Sequence, residues 1–368
     1  TIIIYFKIDC NKILYAKENN SNLFYANINI EYNLYKNYNL KQAVESKKIL
    51  IKDSIYDKNK KDITDSLFLN TSDEGQYLIE IKVFDINKQS LCESWLDFKR
   101  TANNSEYDFL ICNSDNTPLF RKYITDNEKI IIKTNNKLNS KLYIKHYPDI
   151  LPIALPPFSV NGEKPIIVKS DSLFILNLKE GCSDLLSLKN KGVYFCQIDT
   201  ANKSGTTILR YNNKFPAISE IEQMLYPLRY ITEKNEYEQL YLAKDKKKAI
   251  DNFWIEQAGN NDRARELIRK YYNRVEEANN YFTTFVEGWK SDRGIIYIVF
   301  GAPKIVYKYI NKGTYYEQWI YGTENSNIRN IVFDFFKDET PFSNNDYTLL
   351  RSENYKSTWY MAVQSWRR

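Results

Sequence analysis

The feature that most constrains the fold is a junction of small and polar residues, Gly288-Trp289-Lys290-Ser291-Asp292-Arg293-Gly294. Before it, apolar residues recur three and four positions apart as far as Val286, which predicts a long amphipathic helix. After it, residues 295–300 are apolar at successive positions, which is typical of a central strand that is covered on both sides. We therefore expect a helix to end near Glu287 and a sheet to begin directly after the junction.

Each residue of the junction can be assigned a structural role from its chemistry. Gly288 is placed to close the helix in the left-handed conformation, which glycine adopts without steric strain. Trp289 is the first bulky side chain after the turn and can pack on the helix or on the sheet. Ser291 and Asp292 can accept hydrogen bonds from backbone N–H groups and hold the turn. Arg293 can pair with the carboxylate of Asp292 or of Glu287, both of which lie close to it in the sequence.

The first 215 residues alternate short β-rich runs with turn-prone clusters, a pattern typical of antiparallel β-sandwiches. The runs are residues 2–6, 23–28, 49–51, 77–84, 107–112, 129–133, 141–145, 166–168, 172–176 and 193–198. Four prolines between residues 148 and 157 predict an exposed loop within this region. We therefore expect two immunoglobulin-like sandwich modules, residues 1–104 and residues 105–215.

From residue 216 the apolar spacing changes to the helical period of three and four. Ser219, Asp245 and either Asn261 or Asp262 are predicted to cap three successive helices. Beyond the junction, strand patterns lie at residues 305–309, 315–321 and 330–336, before a closing helical pattern that ends near Trp366. Residues 216–368 are therefore expected to form a helical lead-in followed by an α+β domain.

Composition and charge are those of a globular protein. Hydrophobic residues make up 43% and charged residues 27% of the chain, and the formal net charge is +6. A positive surface that binds nucleic acid is normally accompanied by a recognisable reading motif, and the sequence contains none. No run of 18 apolar residues occurs, so a transmembrane helix is not expected.

The residue types needed for common cofactors and nucleophilic triads are scarce. His146 is the only histidine, which argues against a Ser-His-Asp triad in the C-terminal region and against a histidine-rich metal site. The five cysteines lack C-x-x-C spacing, and no phosphate-binding glycine loop occurs. Cys10 with Cys92 and Cys182 with Cys196 are candidate disulfides, and buried free thiols are the favoured interpretation. No cofactor or metal is expected.

Two carboxylate pairs remain as candidates for acid–base chemistry. They are Glu276 with Asp292 and Glu317 with Asp334, each of which has the groups that a general acid and a general base require. The favoured interpretation is that these carboxylates instead accept hydrogen bonds from nearby arginines and backbone N–H groups. A catalytic residue is therefore not assigned.

Three tryptophans allow two interpretations of the same region. Trp254, Trp289 and Trp319 could stack on sugar rings, or they could fill the core at the junction of helix and sheet. Core packing is the favoured interpretation. The sugar-binding alternative is kept because aromatic side chains near carboxylates suit carbohydrate recognition.

The junction and its surroundings resemble the GWxTD domain family. The name motif corresponds to Gly288-Trp289-Lys290-Ser291-Asp292, with Ser291 in place of threonine, which keeps the hydroxyl group. The resemblance continues in the turn Gly301-Ala302-Pro303, in Trp254 on the preceding helix and in Trp319 on a later strand. It covers residues 246–368. The resemblance implies that these residues form a structural motif with a possible interaction role.

The resemblance also implies a cellular context. The family is chiefly bacterial, is common in Bacteroidota, and often carries β-sandwich modules ahead of the domain. It implies a protein of the outer membrane, on its periplasmic or surface face, often a lipoprotein whose acylated cysteine would precede Thr1. We therefore expect a non-enzymatic scaffolding or interaction subunit of an outer-membrane assembly or secretion complex, which binds protein partners. The alternative is a carbohydrate-binding or carbohydrate-processing lipoprotein that uses carboxylates near the turn.

Overall fold

A computed structural model gives the fold. It describes residues 2–17, 22–36, 42–56, 61–71, 73–100, 108–135, 140–148, 153–160, 169–201, 204–322, 331–338, 340, 342–343 and 345–367. The chain divides into two compact units, Thr1–Arg121 and Lys122–Arg368. The finer division at residues 104 and 215 stays a prediction.

The first unit contains two antiparallel sheets. Its strands are β1 (Ile2–Ile8), β2 (Ala16–Lys17), β3 (Phe24–Lys36), β4 (Glu45–Ile55), β5 (Ile63–Leu69), β6 (Gly75–Asp85), β7 (Ser90–Arg100) and β8 (Phe109–Asn113). β1 pairs with β5, and β2, β3, β6 and β7 follow one another in the second sheet, where β4 pairs with β3. Leu67 and Leu69 of the first sheet share a core with Tyr32 and Ile79 of the second.

β3 shows why this region forms a two-layered β-structure. Along the strand, Ala26, Ile28, Ile30, Tyr32 and Leu34 are all buried, while most of the side chains between them are only partly covered. This period of two places one face of the strand in the core. The prediction of a β-rich N-terminal region is therefore confirmed, and the finer assignment to the immunoglobulin-like class stays a prediction.

The second unit begins with further β-structure. Its first strands are β9 (Tyr123–Ile124), β10 (Lys129–Thr134), β11 (Ser140–Pro148), β12 (Ser172–Leu178), β13 (Leu186–Ser187), β14 (Gly192–Gln197) and β15 (Thr206–Arg210). Five of them form a sheet in the order β12-β11-β14-β15-β9, in which only the β15–β9 pair is parallel. Every residue of β14 and β15 is buried. The run predicted at residues 166–168 lies outside the described residues.

The rest of the second unit is an α+β region. Its helices are α1 (Ile221–Leu225), α2 (Lys234–Leu242), α3 (Lys246–Ala258), α4 (Asn261–Phe282), α5 (Asp292–Phe300) and α6 (Tyr355–Gln364). Its strands are β16 (Ile305–Asn311), β17 (Thr314–Tyr321), β18 (Ile331–Lys337) and β19 (Tyr347–Leu349), which form an antiparallel sheet in sequence order. Residues from α3, α4, α5 and α6 share one core with Trp319, Phe333 and Phe335 of the sheet. The predicted α+β character is therefore confirmed.

The prediction of a strand at residues 295–300 is wrong, because these residues form the helix α5. All residues of α5 except Phe300 are buried, including Ile295, Ile296 and Ile298 at 0% exposure. A helix that is surrounded by protein is apolar on every side, so its sequence lacks the amphipathic spacing of a surface helix. A short apolar run does not distinguish such a helix from a buried strand.

The predicted role of Gly288 as a left-handed helix end is also wrong. α4 ends at Phe282, five residues earlier than expected, and the Thr283 hydroxyl donates to the Asn279 carbonyl at 2.6 Å. Gly288 instead begins a short 3-10 turn, Gly288–Lys290, and it is not among the residues with positive φ. The β-region backbone of Thr283 ends the helix before the glycine is reached.

Three helix caps were predicted, and for each the nearer candidate lies within one residue of the observed cap. Asp245 caps α3 as predicted, and its side chain accepts from the Lys248 N–H. The other two predictions were wrong by one position. Glu220 rather than Ser219 caps α1, because Glu220 can exchange bonds with Gln223 in a capping box. Asn260, just before the two predicted residues, caps α4 and accepts from the Arg263 N–H.

The proline-rich segment is not simply an exposed loop. Within the described residues 153–160, Pro157 is buried and Phe158 packs against the core of the α+β region. The Ala154 N–H donates to the Lys290 carbonyl at 2.8 Å, and the Pro157 carbonyl accepts from the Ser352 N–H at 3.1 Å. The expectation of an exposed loop is therefore wrong for this part of the segment, since Pro157 and Phe158 lie against the α+β region.

The candidate disulfides are not formed. All five cysteines carry free thiols: Cys10, Cys112 and Cys196 are buried, Cys182 is half-buried and Cys92 is exposed. Burial raises the pKa of the Cys196 thiol to about 12. In the part of the chain that the structure describes, no helix is both long enough and apolar enough to cross a membrane.

Candidate functional site

The 3-10 turn at Gly288 lies in direct backbone contact with α4 and α5. A Cβ atom on Gly288 would lie 1.8 Å from the Ala278 carbonyl oxygen. A Cβ atom on Gly294 would lie 1.8 Å from the carbonyl oxygen of Gly288 itself. Both glycines are therefore required by close approach of one backbone to another, and the turn is held between two helices.

Trp289 fixes the turn in the core. Its side chain is 4% exposed. Its N–H donates to Asn279 Oδ1 at 3.1 Å, and its carbonyl accepts from the Tyr230 hydroxyl at 2.8 Å. The indole Nε1 donates to Glu287 Oε2 at 3.2 Å, and Lys290 pairs with the same carboxylate at 2.6 Å. The residue is a buried anchor with its polar atoms bonded inside the protein.

Ser291 begins α5. Its hydroxyl donates to the Gly288 carbonyl at 2.7 Å and accepts from the Gly294 N–H at 3.0 Å. This is the arrangement of an N-cap, in which one side chain satisfies a helical N–H that has no partner within the helix. The predicted turn role of Ser291 is therefore confirmed, but the element that follows is a helix and not a strand.

Asp292 forms a buried ion pair with a residue far along the chain. Its two carboxylate oxygens accept from the two terminal nitrogens of Arg351 at 2.6 and 3.1 Å. Oδ2 also accepts from the Leu349 N–H at 2.7 Å, which ties α5 to the end of β19. The carboxylate lies in the first turn of α5, where the helix dipole favours negative charge.

Arg293 is buried beside Asp292 but points to other partners. Its Nη2 donates to the carbonyl and to Oδ1 of Asn345 at 2.6 and 2.8 Å, and its Nη1 lies 3.4 Å from Glu317 Oε2. The guanidinium lies over the rings of Tyr347 at 4.5 Å and Phe282 at 5.1 Å. The predicted pairing with a carboxylate near it in sequence is therefore wrong, because the helix directs Arg293 towards the sheet.

The C-terminal end of α5 is capped by an arginine of α4. Arg274 Nη1 donates to the carbonyls of Ile298 and Val299 at 3.0 and 3.1 Å, and burial lowers the pKa of the Arg274 guanidinium. Gly301 follows with φ of 90°, and a Cβ atom there would lie 2.6 Å from Arg274 Nη2. The Tyr321 hydroxyl donates to the Gly301 carbonyl at 2.9 Å. A side chain at residue 301 would therefore displace the arginine.

The remaining residues of the predicted motif are structural. Trp254 on α3 is 0% exposed and Trp319 on β17 is 2% exposed. The Trp319 indole Nε1 donates to Glu317 Oε1 at 2.6 Å. Pro303 is half-buried in the turn between α5 and β16. The tryptophan rings lie in the core, as the favoured interpretation predicts, and are not positioned to stack on a sugar.

The candidate carboxylate pairs are not brought together. Glu276 Oε1 accepts a backbone N–H of the segment before α1 at 2.8 Å, whereas Asp292 binds an arginine as described. Asp334 Oδ1 accepts from Gln318 Nε2 at 2.7 Å, and Gln318 is its cross-strand partner. Because side chains alternate along a strand, Glu317 lies on the opposite face of the sheet from Asp334.

A further carboxyl group, Asp346, has a pKa well above the usual carboxyl range. Burial, and next the repulsion by Asp338, raise the pKa of Asp346 to about 7. Arg293 acts in the opposite direction. Asp338 and Asp346 are adjacent across the β18–β19 connection, where the Asp338 N–H donates to the Asp346 carbonyl at 3.0 Å.

His146 has bonding partners that give it a structural role. His146 is buried, with Nδ1 2.7 Å from Asp171 Oδ1, Nε2 3.1 Å from the Lys191 carbonyl and its ring against Tyr194. Its two nitrogens therefore hold β11 to neighbouring segments. Among the residues that the structure describes, no group of three or more His, Cys, Asp or Glu side chains could hold a metal ion.

The fold and the site define a β-rich protein that ends in an α+β region with a buried Gly-Trp motif. Residues 192–368 match the family model described as the GWxTD domain, so this part of the chain is a GWxTD domain. The match begins at the first residue of β14, so it includes β14 and β15 as well as the segment that resembles the family by its motifs. No curated protein matches the chain.

Several residues that hold the site were not predicted. Arg351 binds Asp292 across 59 residues of sequence, Asn279 accepts from the Trp289 N–H, and Arg274 binds the last carbonyls of α5. The helical spacing does place Asn279 on the packed face of α4, beside the buried Val275 and Phe282. Nothing in the local sequence distinguishes Arg274 and Arg351 from surface polar residues. The two glycines carried a usable signal, since glycine within an element often marks a close approach of two backbones.

The contact between Gly288 and Ala278 gives a direct test. Gly288→Ala is expected to lower the free energy of unfolding by about 3 kcal/mol or more, because the added methyl group meets backbone atoms. Gly259→Ala is the matched control: φ is 77° there but no atom lies within 4 Å, so we expect a loss of only about 1 kcal/mol. Urea denaturation measures both, and equal losses would contradict the proposed contact.

The Asp292–Arg351 pair can be tested by a double-mutant cycle. Asp292→Asn and Arg351→Gln are each expected to cost about 3–5 kcal/mol of unfolding free energy, since each leaves a buried partner uncompensated. The double variant should cost clearly less than the sum of the two. Additive losses would show that the two side chains do not interact energetically.

Asp346 predicts a pH dependence of stability. Burial raises the folded-state pKa of Asp346 from 3.8 to about 7. The protonated carboxyl therefore stabilises the folded state fully below the unfolded-state pKa, and this contribution to the free energy of unfolding is lost as the pH rises through 7. Asp346→Asn should therefore raise the free energy of unfolding by about 1–3 kcal/mol at pH 8 and change it little at pH 4. Thermal melts at both pH values decide this, and a gain that is equal at pH 4 and pH 8 contradicts the prediction.

Proposed function

We propose that this protein is a non-enzymatic scaffolding or interaction subunit of an assembly at the outer membrane of the bacterial envelope. The observation that carries the proposal is the use of the motif's side chains by the fold itself. Trp289, Ser291, Asp292 and Arg293 are all buried and each is bonded to another part of the same region. The motif therefore acts as an internal frame, which suits a domain that presents other surfaces to partners.

Exposed apolar strands give such surfaces. On β12, at one end of its sheet, Leu173, Phe174 and Ile175 are 52%, 44% and 53% exposed. Apolar side chains clustered on an uncovered strand are a common feature of protein-binding surfaces. The β-rich architecture and the GWxTD domain of residues 192–368 support the same proposal, because the loops and surfaces of β-rich domains frequently carry binding functions.

The proposal is tested by purification from the native envelope. A tagged protein at its normal expression level should recover partner proteins in fixed stoichiometry after mild detergent extraction. Gly259→Ala, which is expected to leave the motif intact, serves as the control variant and should retain the partners. A protein that is recovered alone and as a monomer would contradict the proposal.

The same material tests the carbohydrate alternative. Purified protein is screened for binding and hydrolysis of envelope glycans, and any activity is compared with that of Asp292→Asn. Loss of glycan hydrolysis, in a variant whose folded fraction is verified by its melting curve, would favour an enzyme and overturn the scaffolding proposal. Absence of activity in both proteins agrees with it.

A further inference from the structure

β12 is an exposed strand at the edge of its sheet. It stands at one end of the order β12-β11-β14-β15-β9 and pairs with β11 on one side. Leu173, Phe174 and Ile175 are 52%, 44% and 53% exposed. Alternate residues of an edge strand direct their backbone N–H and C=O groups away from the sheet, so β12 can pair with a further strand.

One exposed side chain of β12 faces the core layer. Phe174 lies opposite Ile144 of β11, and directly opposed residues of antiparallel strands lie on the same face of a sheet. Ile144 is 1% exposed, whereas Phe174 is 44% exposed. The apolar layer under the sheet therefore ends at β12, and a strand added beside β12 would cover Phe174.

β12 lacks the charges that normally protect an edge strand. Its sequence is Ser-Leu-Phe-Ile-Leu-Asn-Leu. β16 is exposed along its whole length as well, but it contains Lys308. Among the edge strands of seven or more residues that the structure describes, β12 is the one without a charged residue. An exposed strand without charge, proline or glycine pairs readily with other strands, so this edge requires a defined occupant.

The sequence of β12 is complementary to a second copy of itself. If two β12 strands pair antiparallel about Ile175, each Phe174 lies opposite Leu176 of the other copy. In the same register, Asp171 just before the strand lies opposite Lys179 just after it. Apolar side chains therefore meet at the centre and opposite charges meet at both ends, which stabilises a strand pair. The remaining pairs are Ser172 with Leu178 and Leu173 with Asn177.

Both charged groups are available for such a pair. The Asp171 side chain is 48% exposed, and its bonds with His146 at 2.7 Å and Ser172 at 2.8 Å both use Oδ1. Lys179 is exposed and forms no ion pair within the part of the chain that the structure describes. Asp171 Oδ2 can therefore accept from Lys179 of a second copy while Oδ1 keeps its present bonds.

We propose that β12 is the edge through which two copies of this chain form a symmetric dimer, with their sheets joined into one. Such a pair closes on itself, because each copy covers the exposed edge of the other. The strand at the opposite end of the sheet, β9, has only two residues and offers little further pairing. The proposal rests on the proposed interaction function and deepens it by naming the occupant of the β12 surface.

The dimer is expected to be weak and reversible. One strand from each copy buries less than the about 800 Å² per partner that is usual in stable complexes. We therefore expect a dissociation constant on the order of 10 µM. Sedimentation equilibrium between about 1 and 300 µM covers this range on both sides. A wild-type protein that stays monomeric throughout, or that grows beyond a dimer, would overturn the proposal.

The two-fold axis places Ile175 opposite its own copy, which allows a test by charge. Ile175→Lys and Ile175→Glu should each weaken the dimer about tenfold, because like charges then lie opposite one another. An equimolar mixture of the two variants should dimerise again, because the charges across the axis are then opposite. Leu50→Lys, at a position of β4 that is 51% exposed, makes the same change of charge elsewhere and should leave the dimer unchanged.

Three outcomes of this series would contradict the proposal. A dimer that persists in both Ile175 variants does not use β12. An equal loss in Leu50→Lys would reduce the effect to net charge. A mixture that stays monomeric, although each variant has a normal melting curve, would exclude the pairing about Ile175.

Reversal of one flanking charge tests the ends of the pair. Lys179→Glu should weaken the dimer by about threefold to tenfold, because it places a carboxylate opposite Asp171 of the other copy. Lys189→Glu, at another exposed position of the same region, is the control and should leave the dimer unchanged. Equal effects of the two variants would overturn the proposed register.

Hydrogen exchange locates the contact. Amides of Ser172–Leu178 that point away from β11 should exchange more slowly as the concentration of the wild-type protein rises, and the same rise should not slow them in Ile175→Lys. Unchanged exchange in β12 under conditions where the protein dimerises would place the contact elsewhere and overturn the proposal.

Envelope purification with two differently tagged copies separates this inference from the proposed function. If the tagged copies recover one another and other proteins, and Ile175→Lys loses only the second copy, both proposals are supported. If Ile175→Lys loses a different protein while the wild-type copies do not pair, the dimer is wrong and the interaction function stands. If the copies pair through β12 but no other protein is recovered, the scaffolding function fails and the dimer stands.

Discussion

The packing of the Gly288 backbone against Ala278 of α4 is the constraint on which the C-terminal region depends. It leaves no room for a side chain at residue 288 or at residue 294, where the next backbone contact occurs. With the turn fixed in this way, Ser291 starts α5 at a defined position. The orientation of α5 then determines which side chains reach the sheet and which reach the other helices.

Two buried ion pairs follow from that orientation. Asp292 reaches Arg351 and the end of β19, while Arg293 reaches Glu317 on β17 and the aromatic rings around it. Because an unpaired buried charge is costly, a shift of α5 that broke both ion pairs would strongly destabilise the region. The motif therefore joins a helix, a sheet and their connections into one structure, and the exposed edge at β16 is supported from within by Trp319.

Local sequence predicted those features that depend on neighbouring residues. The β-rich run at residues 23–28, the three strands after residue 304 and the Asp245 cap were all indicated by patterns a few residues long, and the structure contains each of them, with the first run extended to Lys36 in β3. The same reasoning failed at residues 295–300, since an apolar run carries no period when an element is buried on all sides. It also failed for Arg293, whose partner is 24 residues away.

The sequence by itself determined that the chain is β-rich in its first part, that helices and strands mix after residue 216, and that a Gly-Trp motif lies between them. Only the tertiary structure decided that the motif begins a helix, that Asp292 and Arg293 form separate ion pairs with distant residues, and that β16 is exposed. The physical reason is that burial, ion pairing and strand position depend on residues that are distant in sequence, whereas periodicity and capping depend on adjacent ones.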